Sequence, residues 1–289
     1  MTPPLRAPES RDGEHELSNE AEVGQALKES GFPREELWFT SKLWNTFHAL
    51  EDIEPALDET LSSLQTDYLD LYLIHWPIAF KKGTSALDEA FTANPYPTWQ
   101  KLEEPVEKGK IRNIGISNGE RAVPPPHTPA HAPLPPPFPS LFCRIENLTA
   151  NPLKVQPAVN QVELNFWNPQ LELLAWSAAH GLRLEAHSPL GSSRQVKDTL
   201  AVPAVQAIAK QLGITPAQAI ISWHVQRGTI VLPKSVTPSR VVENFQVHAL
   251  PDDLFEQLEK AAAAHPPQRV VNPSKNWGLD FNVFDDYPQ

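Results

Sequence analysis

Apolar residues along most of the chain follow two alternating patterns. Residues 19–31 carry apolar side chains at helical spacing and stop at a glycine, and residues 36–44 form a short apolar run that predicts a strand. Residues 51–64 and 68–76 repeat this pair of helix and strand. The same patterns predict further strands at 110–118, 157–165, 181–188 and 229–235, and further helices at 98–109, 169–180, 201–212 and 215–227.

Strands that are apolar on both faces and separated by helices are typical of a parallel sheet covered by helices. The predicted fold class is therefore α/β. No GxGxxG motif follows the first strand, which disfavours a Rossmann fold and favours a (β/α)8 TIM barrel. Six predicted strands are fewer than such a barrel requires, so we expect a barrel that is incomplete at its N-terminus.

Two segments interrupt this organisation. Residues 1–18 are polar and have neither period, so we expect them to be disordered. Residues 119–143 contain proline at nearly every second or third position, which excludes a helix or an interior strand and predicts a loop within a barrel domain at 19–289. This loop is either a polyproline ligand for a recognition domain or an insertion derived from non-coding sequence.

The composition limits the classes of function. The 289 residues carry a formal net charge of −11, which disfavours nucleic acid as a partner because the phosphate backbone is also negative. A single cysteine, Cys143, excludes a disulfide scaffold and a cysteine-rich zinc module. Because the chain has neither an apolar run of about 18 residues nor an apolar signal segment, we expect a cytoplasmic protein with no membrane contact.

Two polar residues in the apolar strands are candidates for catalysis. Lys42 lies within the run 36–44, and His75 lies near the end of the run 68–76. Reacting groups in a barrel lie at the C-terminal ends of strands, and a buried ammonium requires a compensating partner. Position alone leaves open a lysine that extends to solvent and a histidine with a structural role.

Other polar residues indicate a ligand site. Ser117 and Asn118 end one strand and Gln161 lies in the next, and such groups suit a carboxamide. Lys234 and Ser235 end a later strand, and Arg240 follows inside a helix that starts near Pro238. A helix N-terminus flanked by two cations is suited to a phosphate, although ordinary capping between strand and helix would use similar residues.

The chain resembles the aldo-keto reductases, an NADPH-dependent (β/α)8 family that reduces carbonyl groups. The resemblance extends from Asn19 to the C-terminus, apart from residues 119–143. It is carried, in the order and spacing of the family, by NEAEVGQAL, SKLWNTFH, DLYLIHWP, IGISN, PAVNQVELN, LEAHSPLGS, and LPKSVTPSRVVEN through NPSKNWGL.

The resemblance implies roles for the candidate residues. Lys42 and His75 match two members of a catalytic tetrad of Asp, Tyr, Lys and His, and Trp44 and Trp76 would line an apolar pocket for a small aldehyde or ketone. The cofactor NADPH would be held by residues in both halves of the chain. Ser117, Asn118 and Gln161 match the carboxamide contacts, His187 the ring that stacks on the nicotinamide, Ser188 and Leu190 the pyrophosphate contacts, Lys234, Ser235 and Arg240 the 2′-phosphate contacts, and Glu243 and Asn244 the adenine contacts.

The N-terminal region departs from the family pattern. Residues 1–18 stand where the family has two strands, and the family spacing places Leu17 at the position of the catalytic tyrosine and Asp12 at that of the aspartate. Leucine cannot donate a proton to the carbonyl oxygen. Tyr72 has the wrong strand parity to face His75, and Tyr96, in a predicted loop, is a remote substitute.

Three interpretations therefore remain open at the level of sequence. The first is an NADPH-dependent carbonyl reductase of reduced activity, monomeric if it folds. The second is a catalytically inactive NADPH-binding protein that uses its proline-rich loop for partner contacts. The third is a mis-spliced product of a reductase gene. Because a barrel of six strands leaves two strand edges uncovered, we also expect marginal folding and a tendency to aggregate.

Overall fold

The computed structural model of the protein describes residues 19–119 and 145–284. The chain divides into two compact units. The first unit contains the described residues of Ala7–Ala158 and Asn272–Gln289, and the described part of the second unit is Val159–Val271. The predicted N-terminal segment 1–18 and nearly all of the proline-rich segment 119–143 lie outside the described residues.

The first unit is built on three parallel strands. These are β1 (Thr40–Leu43), β2 (Leu69–Ile74) and β3 (Ile111–Ser117), with β2 in the middle. The described helices of the unit are α1 (Glu20–Ser30), α2 (Leu50–Leu64), α3 (Glu89–Ala93), α4 (Tyr96–Glu107) and α5 (Ile145–Thr149). All six residues of β2 are buried, as expected for a central parallel strand covered on both faces.

The register of β1 and β2 determines which residues share a face of this sheet. Ser41 pairs with Tyr72, and Lys42 pairs with Leu73. The Ser41 hydroxyl donates a hydrogen bond of 2.5 Å to Oε1 of Glu20 on α1, so Ser41 and Tyr72 face the helices. Lys42 and Leu73 therefore face the opposite side of the sheet, because successive side chains of a strand alternate.

The second unit also contains three parallel strands. These are β4 (Val159–Glu163), β5 (Arg183–His187) and β6 (Ile230–Val231), with β5 in the middle. Its helices are α6 (Leu171–Ala179), α7 (Ser192–Ala201), α8 (Pro203–Leu212), α9 (Pro216–Gln226), α10 (Pro238–Asn244) and α11 (Asp252–Ala263). A buried apolar core joins α8, α9 and α11 through side chains that include Val205, Ile208, Ile220, Trp223, Leu254 and Leu258.

The structure confirms parallel strands that alternate with helices and corrects several boundaries. The predicted helix 201–212 is wrong at its start, because α8 begins at Pro203 after a separate helix, α7, that the apolar spacing did not predict. The predicted strand 229–235 is too long. The ladder of β6 covers only Ile230–Val231, and Pro233 shortly after it has no N–H to donate.

Candidate active site

Lys42 and His75 lie on the same face of the sheet in the first unit. Lys42 pairs with Leu73, and His75 follows Leu73 by two residues, so both side chains point away from the helices that cover Ser41 and Tyr72. The backbone N–H of His75 donates to the carbonyl oxygen of Leu43 at 3.1 Å, which extends the ladder between β1 and β2. The first unit thus brings the two predicted catalytic residues together at the C-terminal ends of adjacent strands.

Ser117 and Asn118 are placed next to His75 by the adjacent strand. Gly115 pairs with Leu73, so Ser117 has the same parity as His75 and points to the same face. The side-chain amide of Asn118 donates to the carbonyl oxygen of His75 at 3.1 Å and lies 3.2 Å from the hydroxyl of Ser117. Both side chains are buried, and Asn118 has a left-handed φ of 58°, which turns the chain sharply after β3.

Aromatic rings surround His75. Trp44 packs edge-on against the imidazole, with ring centroids 5.0 Å apart, and the ring of Trp76 lies 6.3 Å from it. Trp277, in the C-terminal segment, packs against both tryptophans. Its ring centroid lies 6.5 Å from that of Trp44 and 5.1 Å from that of Trp76. The predicted pocket residues therefore form one apolar cluster together with Trp277, whose importance no periodic pattern in the sequence indicated.

The described tyrosines lie apart from this face. Tyr72 is almost fully buried on the helix side of β2, and its pKa is raised by burial and further by the negative charge of Glu20. The prediction that Tyr96 lies in a loop is wrong, because Tyr96 begins α4 and its hydroxyl lies 3.1 Å from the carbonyl oxygen of Pro152, to which it can donate. Asp12 and Leu17, which the family spacing places at the positions of the aspartate and of the proton-donating tyrosine, lie outside the described residues.

The second unit carries a row of polar residues on β4 and β5. Gln161 is buried and donates its amide to Oε2 of Glu185 at 3.1 Å. Glu163, which is fully buried, accepts hydrogen bonds from the backbone N–H groups of Val270 at 2.8 Å and Val271 at 2.7 Å. Such bonds compensate the cost of burying a carboxylate, and they anchor the chain just before the C-terminal segment. No pattern in the sequence indicated this role of Glu163.

The loop after β5 has an unusual backbone. Ser188, Gly191 and Ser192 all have left-handed φ values, of 52°, 87° and 57°. The N–H of Gly191 donates to the carbonyl oxygen of Ser188 at 2.8 Å, and Nδ1 of His187 lies 3.3 Å from the Ser188 hydroxyl. Leu190 packs against the apolar core of the unit. Of the predicted cofactor residues of this segment, Ser188 and Leu190 therefore lie in one tight turn between β5 and α7, and His187 is the last residue of β5.

The predicted phosphate residues follow β6. Lys234 and Arg240 are exposed, and Arg240 is the third residue of α10, so it lies within the first turn of that helix. The hydroxyl of Ser235 accepts a hydrogen bond from the N–H of Thr237 at 3.1 Å. Near the other end of α10, Glu243 accepts a hydrogen bond from the hydroxyl of Thr215, and Asn244 is buried. Exposed cations at the start of a helix are suited to bind an anion.

Comparisons with known proteins identify a family and several relatives to which this chain is similar. A sequence profile described as the aldo/keto reductase family matches residues 15–123 and 142–263. The chain is 43% identical over 275 residues to aldo-keto reductase family 1 member A1 of Sus scrofa, covering 88% of this chain and 77% of that protein. It is 37% identical over 283 residues to aldehyde reductase YPR1 of Saccharomyces cerevisiae, covering 92% and 81%.

A solved structure extends the similarity to three dimensions. The aldo-keto reductase of Bombyx mori in complex with NADP superposes with a TM-score of 0.74 at 31% identity, covering 94% of this chain and 81% of that one. This similarity confirms the predicted fold class, an α/β fold of the (β/α)8 barrel type, with six parallel strands among the residues described here. None of the helices within 19–119 and 145–284 is long and apolar enough to cross a bilayer.

Proposed function

The chain belongs to the aldo/keto reductase family, and from that premise we propose that it binds NADPH and reduces a small aldehyde or ketone slowly, because the family's proton donor is replaced by Leu17. The observation that carries the proposal is the placement of Lys42 and His75 on one sheet face beside Ser117. We also propose that the protein is a monomer and is located in the cytoplasm.

The donor set of the second unit fits the phosphorylated form of the cofactor. Lys234 and Arg240 are both exposed around the start of α10, where charge-assisted hydrogen bonds to a phosphate can form. Only NADPH carries a 2′-phosphate, so these two cations would favour it over NADH. In the first unit, the side chains of Ser117 and Asn118 supply polar groups that suit a carboxamide.

The bound cofactor would supply a hydride to the carbonyl carbon. The remaining work falls to side chains of this protein. His75, held at the end of β2 by its backbone bond to Leu43, orients the carbonyl oxygen as a hydrogen-bond donor, and the ammonium of Lys42 stabilises negative charge on that oxygen. The rings of Trp44, Trp76 and Trp277 exclude water from the pocket.

The protonation step is the weak point of this site. The phenol of Tyr72 faces the helices, and the phenol of Tyr96 lies against the carbonyl oxygen of Pro152. By spacing, Asp12 remains the candidate for the aspartate, but Leu17 has no proton to donate. Loss of a positioned general acid lowers the rate of such a reaction by about 10²–10⁴-fold. We therefore expect turnover far below that of ordinary relatives.

Cofactor binding is tested by titrating the protein with NADPH and with NADH and following the fluorescence of the nicotinamide. We expect NADPH to bind at least about tenfold more tightly, and Lys234→Ala or Arg240→Ala to remove most of that preference. Lys210→Ala, which removes an exposed lysine from α8, is the matched control and should leave both affinities unchanged. Equal affinity for NADPH and NADH in the unaltered protein would overturn the proposal.

Turnover is tested by the loss of NADPH absorbance in the presence of a small aldehyde, with the relative from Sus scrofa assayed in parallel. We expect slow consumption that Lys42→Met abolishes while the dissociation constant of NADPH stays the same. A rate equal to that of the relative would show that another group of this protein donates the proton in place of the missing tyrosine. Tight binding of NADPH without any consumption would instead identify the alternative function, an inactive NADPH-binding protein.

A further inference from the structure

The turn between β5 and α7 adopts a conformation that its own sequence does not favour. Ser188 and Ser192 have φ values of 52° and 57°, a region in which residues other than glycine are strained, and Gly191 between them has a φ of 87°. A Cβ atom on Gly191 would lie 2.7 Å from the Cβ of Gln195. A turn with this many left-handed residues keeps its shape only where contacts from outside it hold it.

One such contact comes from helix α9. His224 is fully buried, and its Nε2 atom lies 3.3 Å from the carbonyl oxygen of Pro189, in the middle of the turn. Its neighbours on α9, Trp223 and Ile220, belong to the apolar core of the second unit. The imidazole therefore connects the turn to one of the best-packed helices of that unit.

The chemistry of the two atoms determines the direction of this hydrogen bond. A carbonyl oxygen only accepts, so Nε2 of His224 must carry the proton. The other ring nitrogen, Nδ1, lies 3.4 Å from the hydroxyl of Thr229, and that hydroxyl donates to the carbonyl oxygen of His224 at 2.6 Å. Burial, and then the positive charge of Arg227, lower the pKa of His224 to about 3, so the ring is neutral at ordinary pH.

We propose that His224 is a positioning residue for the cofactor: by donating from Nε2 to the carbonyl oxygen of Pro189, it holds the turn from Ser188 to Gly191 in the shape that meets the pyrophosphate. This inference rests on the proposed function, because it assumes that NADPH binds at this turn. His224 itself touches neither cofactor nor substrate in this role.

The test uses two substitutions at one position. His224→Leu retains the approximate size of the side chain but removes the hydrogen-bond donor. His224→Gln retains an N–H near the position of Nε2. We expect His224→Leu to weaken NADPH binding by about tenfold and His224→Gln to restore it to within about threefold of the unaltered protein. Adenosine 2′-monophosphate has the 2′-phosphate but no phosphate at the 5′ position, where NADPH carries its pyrophosphate, and its affinity should change by less than about twofold in both variants.

A loss of affinity for NADPH without a loss of affinity for the ligand that lacks a pyrophosphate distinguishes a positioning role from general loss of structure. Ser222→Ala is the control, because Ser222 is also buried on α9 but its hydroxyl accepts from the N–H of His248, at 3.0 Å, and not from the turn. It should leave the ratio of the two affinities unchanged. Equal weakening of both ligands by His224→Leu, no weakening of NADPH, or failure of His224→Gln to restore binding would each overturn the proposal.

A measurement without cofactor distinguishes this proposal from the proposed function. If the unaltered protein binds neither NADPH nor adenosine 2′-monophosphate, the proposed function fails, and the role in holding the turn is then decided by hydrogen exchange of the Gly191 amide. That amide donates to the carbonyl oxygen of Ser188, so it reports the turn directly. His224→Leu should speed its exchange by about tenfold and His224→Gln should not. Unchanged exchange in His224→Leu would exclude the role.

Discussion

Two buried histidines, His48 in the first unit and His224 in the second, are held in the neutral form. Burial lowers the pKa of His48 to about 4, against the opposing charge of Asp88, and lowers that of His224 to about 3. Both ring nitrogens of His48 lack a hydrogen-bond partner among the described residues, as does the side chain of buried Asn45 nearby in the chain. Charging either imidazole would place an ion in the apolar interior of its unit.

This pair makes stability depend on pH in a predictable direction. An unfolded histidine has a pKa of about 6.5, so below that pH the unfolded chain binds protons that the folded protein refuses. The contribution of these histidines to the free energy of unfolding is therefore fully present above about pH 6.5. It declines as the pH falls toward about 4, by up to about 1.4 kcal/mol per pH unit for each histidine. Urea unfolding at a series of pH values measures this slope.

Replacing His48 with glutamine isolates its contribution. His48→Gln should reduce the slope between about pH 6 and about pH 4.5 by about 1.4 kcal/mol per pH unit. Gln100→Ala, at an exposed residue of α4 that does not titrate, should leave the slope unchanged. An identical slope in His48→Gln and the unaltered protein would show that His48 is charged, or exposed, in the folded state.

At the scale of elements, Asp70 joins the starts of three strands. Its carboxylate is buried and forms ion pairs with Arg34 at 2.8 Å and with Arg112 on β3 at 2.9 Å. It also accepts from the N–H of Phe39, just before β1, at 2.9 Å. The contacts lie at the end of the sheet opposite to Lys42 and His75, so they support the site from a distance.

Removing this charge should loosen the three strands together. Asp70→Asn should lower the free energy of unfolding by about 2–3 kcal/mol, because it leaves two arginines without the buried carboxylate that pairs with them. Asp58→Asn, which breaks an exposed pair with Lys110, should cost less than about 1 kcal/mol. Urea unfolding of both variants measures the difference, and equal values would contradict a special role for Asp70.

Helix α1 is packed against the end of α2 through a glycine. A Cβ atom on Gly24 would lie 2.5 Å from the carbonyl oxygen of Ser63 and 2.8 Å from that of Leu64. Gly24→Ala should therefore destabilise the protein by about 1–3 kcal/mol, although alanine normally stabilises a helix by about 1 kcal/mol relative to glycine. Gln25→Ala on the exposed face of α1 serves as the control. A more stable Gly24→Ala protein would show that the two helices are not in close contact.

At the scale of the whole molecule, uncovered apolar surface opposes the solubility expected from a net charge of −11. Helix α10 and the residue after it present Val241, Val242 and Phe245 at helical spacing, and these side chains are 53%, 63% and 91% exposed. The strand before α10, β6, pairs with β5 on one side, and its Ile230 is 42% exposed.

We expect the protein to self-associate through the apolar face of α10, which is formed by Val241, Val242 and Phe245. Phe245→Ser should reduce aggregate measured by light scattering while changing the free energy of unfolding by less than about 0.5 kcal/mol. Leu171→Ser, at a 42% exposed apolar residue on α6, should have a smaller effect on aggregation. The idea fails if both variants aggregate as much as the unaltered protein.

The local chemistry of the chain was sufficient to predict the fold class and to select candidate residues for a site. Apolar runs such as that of β2 and the helical stripe of α2 are dense enough to indicate their elements, because burial of neighbouring side chains along one element depends on local spacing. Lys42 and His75 were found because polar groups at the ends of such runs are conspicuous. The roles assigned to these two residues come from the resemblance of the ordered motifs to the family, and the roles remain proposals.

Long-range packing determined what local spacing could not. The buried state of Glu163 depends on Val270 and Val271, more than a hundred residues later in the chain. The contact of His224 with Pro189 and the approach of Trp277 to Trp76 likewise join distant segments. Helix α7 was missed because it has only two large apolar residues, Val196 and Leu200, and it follows a strained turn that contacts from outside the turn hold in place. Contacts between distant segments form only when the chain folds, so no local pattern of residues records them.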